Sequence, residues 1–232
     1  MSTGTDVNYE FTINGLTPLL MHADNIEASD MLKAYRDNPA NKAMAVKGDD
    51  RSPPWTWQTY LCHDGIKLVM PNEYLMGALR KAGTSITMTG KKTLKSASQS
   101  DLLTTEFLDF YIEDKEKSAA NKTAWKQVFL TEIQQMFDQD FATQCKEAEN
   151  IGFRLFKKRC KVMNNKHVRV RPRFDKWLVR GTITVLNPAV LPEVKVAQLF
   201  AYAGKVGLGD WRPSSPTSPG PFGQFTAEIK RV

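Results

Sequence analysis

Residues 66–83 read IKLVMPNEYLMGALRKAG, and this stretch decides how the chain folds. A short apolar run, typical of a buried strand, ends at Pro71. The residues that follow have the pattern of a helix, with apolar side chains on one face, Arg80 and Lys81 near the C-terminal end and Gly83 after them. The sequence therefore predicts a strand that leads directly into a helix.

Two positions of this helix carry further expectations. Asn72 is predicted to cap the first turn with its side chain. Gly77 costs the helix ~1 kcal/mol relative to alanine, which favours close packing against a sheet at that point.

The segments around this strand–helix pair predict the rest of the fold. Residues 9–23, 106–114 and 222–232 have the pattern of strands, and 191–204 form an amphipathic helix. Another apolar strand is predicted at 176–186. With the long insertions removed, the order is close to β-α-β-β-α-β. This order predicts an α+β fold, a ferredoxin-like (RRM-like) antiparallel sheet with two helices and long insertions.

The remaining segments are predicted with less regular structure. Residues 28–36 indicate a short helix, and 59–71 indicate a hairpin that turns at His63-Asp64-Gly65. We expect a turn at 49–57, because two consecutive prolines cannot propagate a helix. Residues 84–100 are predicted to form a mobile polar loop.

The composition is that of an ordinary globular protein. The 232 residues are 41% hydrophobic and 25% charged. No apolar run is long enough for a transmembrane helix, and the N-terminus lacks the pattern of a secretory signal. The three cysteines form no CxxC pair, so reduced thiols and a cytoplasmic location are expected.

The positive charge is concentrated in one segment. The chain has a net charge of +7, but residues 154–180 alone carry +10, with Asp175 as their one acidic residue, and the remainder carries −3. The protein therefore has a basic arm on a nearly neutral body. This asymmetry favours a polyanion as the partner, most simply nucleic acid.

The basic arm has the pattern of a hairpin. Asn164-Asn165 can form its turn, and valines alternate with Arg169 and Arg171 in the second half. This alternation predicts Arg169, Arg171 and Arg173 on one side of a strand, joined across the hairpin by the cations of 157–161. Four aromatic side chains are interleaved with these cations and can either stack on bases or pack in the core: Phe153, Phe156, Phe174 and Trp177.

Residues 206–225, VGLGDWRPSSPTSPGPFGQF, form a glycine- and proline-rich loop. Its Gly207-x-Gly209 pair follows a helix and precedes a strand, which is the reverse of the order in nucleotide-binding loops, so no cofactor is predicted. The two glycines can still bring backbone N–H groups close to a phosphate chain. Arg212 can bind phosphate, and Trp211 can stack on a base or pack. The prolines can equally form a stiff contact with another subunit.

Three stretches of the sequence resemble the RAMP superfamily of CRISPR-associated proteins. In that family, a strand ending in proline leads to a helix with a Leu-x-Gly-Ala-Leu-Arg core, and here these positions are Pro71, Leu75, Gly77, Ala78, Leu79 and Arg80. INGLTPLLMH (13–22) resembles the first strand of the family. The loop 206–225 resembles its C-terminal glycine-rich loop, in which Gly-x-Gly and an arginine precede a Gly-x-Phe strand.

The resemblance implies a palm with insertions, one of which is a thumb-like basic hairpin. It also implies subunits that coat guide RNA as filaments, and similar proteins occur in bacterial viruses and prophages. We therefore expect one RAMP-like domain over 1–232. Its palm is predicted at about 7–23, 58–83 and 178–232, with insertions at about 24–57 and 84–177.

The leading hypothesis from the sequence is a non-catalytic protein that binds single-stranded nucleic acid, with RNA favoured, and self-associates along the strand. No metal and no membrane contact are predicted. The predicted contacts are Lys157, Lys158, Arg159, Lys161, Arg169, Arg171, Arg173, Trp177, Gly207, Gly209, Trp211 and Arg212.

Two alternatives remain open at this stage. The first is an endoribonuclease of the same fold. A histidine can act as a general base or acid toward a 2′-hydroxyl, and a pair of aspartates can hold a metal ion. The candidate residues are His22, Asp24, Asp49, Asp50, His63 and Asp64. The second alternative is a viral or defence-related assembly protein whose basic arm meets a protein partner.

Overall fold

The computed structural model describes residues 6–23, 26–44, 49–51, 54–88, 92–120, 122–162, 165–216 and 218–232. The strands are β1 (Val7–Gly15), β2 (Leu19–Leu20), β3 (Asp49–Arg51), β4 (Val69–Pro71), β5 (Leu102–Thr104), β6 (Phe107–Glu113), β7 (Trp125–Lys126), β8 (Arg154–Val162), β9 (Asn165–Phe174), β10 (Trp177–Val185) and β11 (Phe225–Arg231). The α-helices are α1 (Ile26–Asp37), α2 (Pro39–Met44), α3 (Asn72–Gly83), α4 (Lys95–Ser100), α5 (Leu130–Gln134), α6 (Phe141–Ile151) and α7 (Glu193–Val206), and a 3₁₀ helix spans Pro54–Tyr60. Within the described part of the chain, no helix is long and apolar enough to cross a membrane.

Four long strands form the main sheet in the order β11-β1-β10-β6, and each neighbouring pair is antiparallel. Helix α3 comes between β1 and β6 in the chain, and α7 comes between β10 and β11. This connectivity is β-α-β-β-α-β, with the first strand next to the last, so the fold is the predicted ferredoxin-like α+β sandwich. The shorter strands β4, β5 and β7 extend the sheet. We call this sheet with α3 and α7 the palm.

The alternating pattern of β1 explains how the palm is held together. Every second side chain from Val7 to Ile13 is buried, and those between them are exposed or half-buried. The buried side chains face α3 and α7, and the ring of Phe11 lies 5.3 Å from that of Phe200. Burying a large apolar side chain of this kind contributes about 1.5–3 kcal/mol. Side chains repeat every two residues in the strand and every 3.6 residues in the helices, and the apolar faces that result are buried against each other in one core.

Helix α3 has the predicted bounds, but both finer expectations about it are wrong. Pro71 occupies the N-cap position, and no side chain caps the first turn. Gly77 lies on the exposed face of the helix, and a Cβ added there would meet no atom within 4 Å. The buried face is supplied instead by side chains such as Leu75 and Leu79. Gly77 is therefore not required for packing within this chain.

A second sheet holds the basic arm. Strands β8 and β9 form the predicted antiparallel hairpin, which we call the basic hairpin, and β9 also pairs with β2 and, in parallel, with β3. The hairpin leaves the palm between β6 and β10. The interval 84–177, predicted to be one insertion, therefore contains a palm strand, β6. Every second side chain of β6 is buried, as in β1, so this strand contributes an apolar face to the core of the palm.

Two loops predicted from the sequence contain helical turns. The 49–57 interval includes the start of the 3₁₀ helix at Pro54, since proline is compatible with a first helical turn although not with a helix interior. The 84–100 interval contains α4, which packs against α3 by burying Ala97 and Ser98. The prolines of 49–57 and the polar composition of 84–100 indicate a turn and a loop, so neither helix is predicted from the sequence.

An aromatic cluster joins the base of the basic hairpin to the palm. The ring of Phe174 lies 5.0 Å from Phe110 of β6 and 5.4 Å from Phe153, and Phe153 lies 5.9 Å from Trp57 of the 3₁₀ helix. The indole nitrogen of Trp57 donates a 2.8 Å hydrogen bond to Gln144 of α6. All four rings are almost fully buried. The hairpin therefore begins from a rigid base, which is what a positioned binding surface requires.

Candidate nucleic-acid interface

The register of the basic hairpin divides its cations between two faces. Arg173 lies opposite Arg154, Arg171 opposite Phe156, and Arg169 opposite Lys158. The three arginines thus share one face, as the alternation predicts. Lys157, one position along from Lys158, lies opposite Val170 and belongs to the other face. The predicted contacts Arg159 and Lys161 lie opposite Val168 and Lys166, and their side chains are outside the described part of the chain.

Arg171 is buried at the junction of the hairpin and the palm. Its side chain is 5% exposed, and Nε donates a 3.0 Å hydrogen bond to Asp210 Oδ2. Its guanidinium lies 3.8 Å from the ring centre of Tyr60. Nη1 is buried and has no hydrogen-bond partner among the described residues. Arg171 is therefore poorly placed for its predicted phosphate contact, because its side chain is buried and its charge is already paired inside the protein.

Asp210 is the carboxylate that holds this junction. Burial by itself raises the pKa of Asp210, but the hydrogen bond and charge of Arg171, together with the nearby His22, lower it, and the net shift is downward. His22 Nδ1 lies 3.8 Å from Asp210 Oδ2. The backbone N–H of Asp210 donates to the carbonyl of Leu20 at 2.9 Å. Asp210 is therefore tied to both the hairpin and the end of the first palm segment.

Arg173 is also neutralised within the chain. Its Nε donates a 2.7 Å hydrogen bond to Asp175, which also accepts from Arg154 at 3.2 Å. The Arg173 guanidinium lies 5.7 Å from the ring of Phe156 and 5.9 Å from that of Phe222. One carboxylate thus separates two arginines that face each other across the strands.

The outer part of the hairpin differs from its base. Lys157 is exposed and Arg169 is half-buried, and among the described residues no carboxylate lies within ion-pair distance of either. Arg169 also faces another cation, Lys158, across the strands, so two positive charges share this face of the hairpin. The charge that is available to a ligand therefore lies on the outer part of the hairpin rather than at Arg171 or Arg173.

The glycine loop, residues 207–224, packs onto the base of the hairpin. Gly223 N–H donates to the carbonyl of Pro18 at 2.8 Å, and Leu208 N–H donates to the carbonyl of Gly223 at 2.9 Å. With the Asp210–Leu20 hydrogen bond, these contacts fix the loop against the turn that follows β1. Two regions that are far apart in the sequence, the basic arm and the glycine loop, are thus brought together.

Backbone geometry explains the two predicted glycines of the loop. Gly207 and Gly209 have φ values of +81° and +71°, and a Cβ on Gly209 would collide with the carbonyl oxygen of Leu20. The amide of Gly207 donates to Ala203 O at 2.9 Å, so it terminates α7. Arg212 donates to Gly209 O at 2.8 Å and to Ser214 at 3.1 Å. These residues shape the loop, and their predicted phosphate contacts stay predictions.

Trp211 lies where the loop meets the hairpin. Its indole stacks on Phe222 with ring centres 5.6 Å apart, and Phe222 in turn lies 5.6 Å from Phe156 of β8. The ammonium of Lys158 lies over the Trp211 ring. Trp211 and Phe156 are half-buried, so part of this cation–aromatic surface is open to solvent.

Burial corrects the stacking role predicted for Trp177. Its side chain is fully buried, and Nε1 donates a 2.8 Å hydrogen bond to Thr17 O, so it cannot stack on a base. Phe153 and Phe174 are core residues for the same reason. Of the four aromatic residues interleaved with the basic arm, Phe156 alone keeps a partly exposed ring, because it lies on the face that the glycine loop covers incompletely.

The open face of the palm carries no aromatic platform on its central strands. The side chains of β1 on that face are Asn8, Glu10, Thr12 and Asn14, and those of β10 are Leu178, Arg180, Thr182 and Thr184. Both strands are fully described. Sheets that bind RNA in the RRM manner present aromatic rings at such positions. The geometry therefore favours the hairpin and the glycine loop over the sheet face.

The candidate catalytic residues are not gathered into one site by the described part of the chain. Asp49 and Asp50 pair in parallel with Lys166 and His167 of β9, and nothing is described of their side chains. Asp64 is explained by its turn, because Oδ1 accepts the backbone N–H groups of Ile66 and Lys67 at 2.9 and 2.8 Å.

The other candidates add no shared centre. His63 contributes Nδ1 to the same turn by accepting the N–H of Gly65, and Asp24 lies outside the described residues. No group of three His, Cys, Asp or Glu side chains placed to hold a metal ion occurs among the described residues.

Tyr74 fixes the backbone of His22 and gives a prediction for alkaline pH. Its hydroxyl donates to His22 O at 2.6 Å and accepts from His22 N at 3.2 Å. Burial, with a contribution from Cys62, raises the pKa of Tyr74 above its usual value of 10.0. The folded protein therefore keeps a proton that the unfolded chain loses, so stability is full below pH 10 and falls above it.

We expect the free energy of unfolding to fall by about 1.4 kcal/mol per pH unit above pH 10 for this one group. Urea unfolding between pH 8.5 and 11 measures this slope, and Tyr74→Phe is the control. The variant should start about 1–2 kcal/mol less stable, because the amide of His22 loses its partner, and should show a slope shallower by one proton. Identical slopes for the two proteins would contradict the assignment.

Several residues of this interface were missed by sequence reasoning. Tyr60, Tyr74 and Phe222 carry no pattern that separates them from ordinary core residues. Asp210 does have a signal: it is the one acidic residue between 206 and 227, next to Trp211 and opposite a basic arm. An isolated carboxylate in a glycine- and proline-rich loop is a candidate partner for a buried arginine.

No known family matches this chain, and no curated protein does. Among solved structures, the chain is similar to one in a cryo-EM structure of the Type III-B Cmr-beta bound to cognate target RNA, with a TM-score of 0.42 and 10% identity. The match covers 98% of this chain and 61% of that one, so this chain spans about three fifths of its length.

Proposed function

We propose that this protein binds single-stranded nucleic acid, with RNA preferred, through the outer part of the basic hairpin beside the docked glycine loop. The observation that carries the proposal is the pair Lys157 and Arg169, cations with no carboxylate partner among the described residues, on a hairpin whose basal arginines are already neutralised. Phosphate is the ligand that satisfies such cations. Lys158, Arg159 and Lys161 extend the same strand and are proposed as further phosphate contacts.

The preference for RNA and the assembly rest on the resemblance to the RAMP superfamily. By that resemblance, the protein is a non-catalytic subunit that self-associates along the strand, like the backbone subunits of CRISPR effectors. A charge-based contact of this kind has little sequence preference, because phosphates carry no base identity.

Fluorescence anisotropy with labelled 20-nucleotide single-stranded RNA, single-stranded DNA and duplex DNA tests the proposal. The five proposed phosphate contacts predict a log–log salt slope of about −3.5 for single strands. Binding to both single strands, tighter for RNA, is the expected result, and longer strands should bind several copies in light scattering. No binding at 50 mM salt would sink the proposal and favour a protein partner for the hairpin.

An endoribonuclease is a second candidate, favoured by the pairing of β3 with β9. This pairing places the backbone of Asp49 and Asp50 beside Lys166 and His167 of the basic hairpin, where a bound strand would pass. Cleavage of the labelled RNA that disappears with Asp49→Ala/Asp50→Ala or with His22→Ala would establish it. Intact RNA after prolonged incubation with magnesium or manganese would exclude it.

A further inference from the structure

Trp211 has a backbone conformation that a bulky residue seldom adopts. Its φ is +52°, and it is the one non-glycine residue with a positive φ in the described part of the chain. Such a conformation persists where its surroundings enforce it. Here Asp210 Oδ1 accepts the N–H of Trp211 at 2.8 Å, and a Cβ on Gly220 would collide with the Trp211 backbone and ring. The loop therefore keeps a strained backbone at Trp211, and this conformation holds the indole against the hairpin.

The ring is held by one apolar contact and one charged contact. Phe222 stacks on it with an angle of 26° between the rings, and the Lys158 ammonium lies over it. Phe222 is buried and belongs to the body of the loop. Lys158 belongs to the hairpin and is a long, flexible side chain. Of the two contacts on the indole, the ammonium is thus the one that a flexible side chain supplies.

Two features of the hairpin favour an exchange at this position. Lys158 faces Arg169 across the strands, so a phosphate bound between them can contact both cations. A cation–aromatic contact at a partly exposed site is also weaker than the stacking of a nucleobase on an indole. A ligand with both a phosphate and an unpaired base therefore gains two contacts when it displaces the ammonium: its base stacks on the indole, and its phosphate binds the two cations.

We propose that Trp211 stacks on one unpaired base of the bound strand, in exchange for the Lys158 ammonium, which moves to the adjacent phosphate. Trp211 is then the residue that makes the site selective for base-bearing single strands over other polyanions. In a duplex the bases are stacked on one another and cannot reach the indole. This proposal rests on the proposed function, since it specifies where on the same surface a base is held.

The test compares two 12-nucleotide probes, oligouridylate and an abasic sugar–phosphate strand of the same length. Trp211→Leu should weaken oligouridylate binding about tenfold and leave the abasic strand unchanged, and Trp211→Phe should keep most of the affinity. Lys158→Met should raise the ratio of oligouridylate to abasic affinity, because the competitor is gone. It should also make the salt slope shallower by about 0.7, because one phosphate contact is lost.

Failures of the two proposals are distinguishable. If the unaltered protein binds neither probe, the proposed function fails. If it binds both probes equally and Trp211→Leu changes neither affinity, nucleic-acid binding stands and the stacking site is wrong. An equal loss for both probes in Trp211→Leu and in Trp211→Phe would mean that the indole only supports the loop, which also overturns the exchange.

Discussion

Replacing Lys157 and Arg169 with glutamate is expected to weaken binding of single-stranded RNA by on the order of 100-fold at 100 mM salt. Both side chains lack a carboxylate partner among the described residues, so their charge is free to meet phosphate. The reversal removes two phosphate contacts and places two carboxylates in their position. The log–log salt slope should also become shallower by about 1.4, which is two contacts at about 0.7 each.

The matched control is Lys92→Glu/Lys95→Glu, which changes the net charge by the same amount. Both lysines are exposed, just before α4 and at its start, and this helix packs against α3 rather than the hairpin. If the control loses as much affinity as the hairpin variant, binding depends on total charge and the surface has been placed wrongly. Urea unfolding of both variants should stay within about 0.5 kcal/mol of the unaltered protein, because no paired or buried group is removed.

Periodicity was sufficient to predict most elements of the palm. Apolar side chains recur every second residue in β1 and along one face of α3 and α7, and this order of elements admits few topologies. Strand β6 was placed in an insertion although its alternation was recognised, because nothing in one sequence says which strands share a sheet.

The candidate site was predicted less completely, because pattern gives the face of a strand but not what covers that face. Arg169, Arg171 and Arg173 were correctly predicted to share one face. However, Arg171 is buried, Arg173 is paired with Asp175, and Arg169 has no carboxylate partner among the described residues. The difference arises from Asp210 and Asp175, and Asp210 lies 39 residues from its arginine. Such a long-range pair leaves no periodic trace.

The same limit applies to the aromatic residues of the basic arm. Phe153, Phe174 and Trp177 are interleaved with cations in the sequence, as base-stacking residues would be. In the structure they pack on the palm and on Trp57. Phe156 lies instead on the face of the hairpin that the glycine loop covers incompletely, opposite Arg171. The glycine loop shows the converse: its composition suggested a ligand, whereas its positive φ values serve a close approach to Leu20.

Substituting Asp210 with leucine is expected to lower the free energy of unfolding by about 3 kcal/mol. The change leaves Arg171, whose side chain is 5% exposed, as a buried charge without a partner. The Asp210 carboxylate is 35% exposed, which places the effect at the lower end of the range for buried pairs. Urea unfolding at pH 7 measures it.

A double-mutant cycle separates the pair from the packing around it. Arg171→Met alone should cost less than Asp210→Leu, since the remaining carboxylate can be hydrated, and the combined variant should recover most of the loss because no charge stays buried. The exposed pair Lys67–Asp109, with atoms 2.7 Å apart, supplies the control: Asp109→Asn should cost under about 1 kcal/mol.

The cycle also tests how the interface is held together. Asp210 accepts from Arg171 of the hairpin and from the amide of Trp211, while its own amide is bonded to Leu20. If this carboxylate is what keeps the glycine loop on the hairpin, Asp210→Leu should shift the tryptophan emission to the red and weaken oligouridylate binding more than abasic-strand binding. Loss of stability with unchanged emission and unchanged probe ratio would mean that the loop docks by its apolar contacts alone, and that Asp210 serves only to neutralise Arg171.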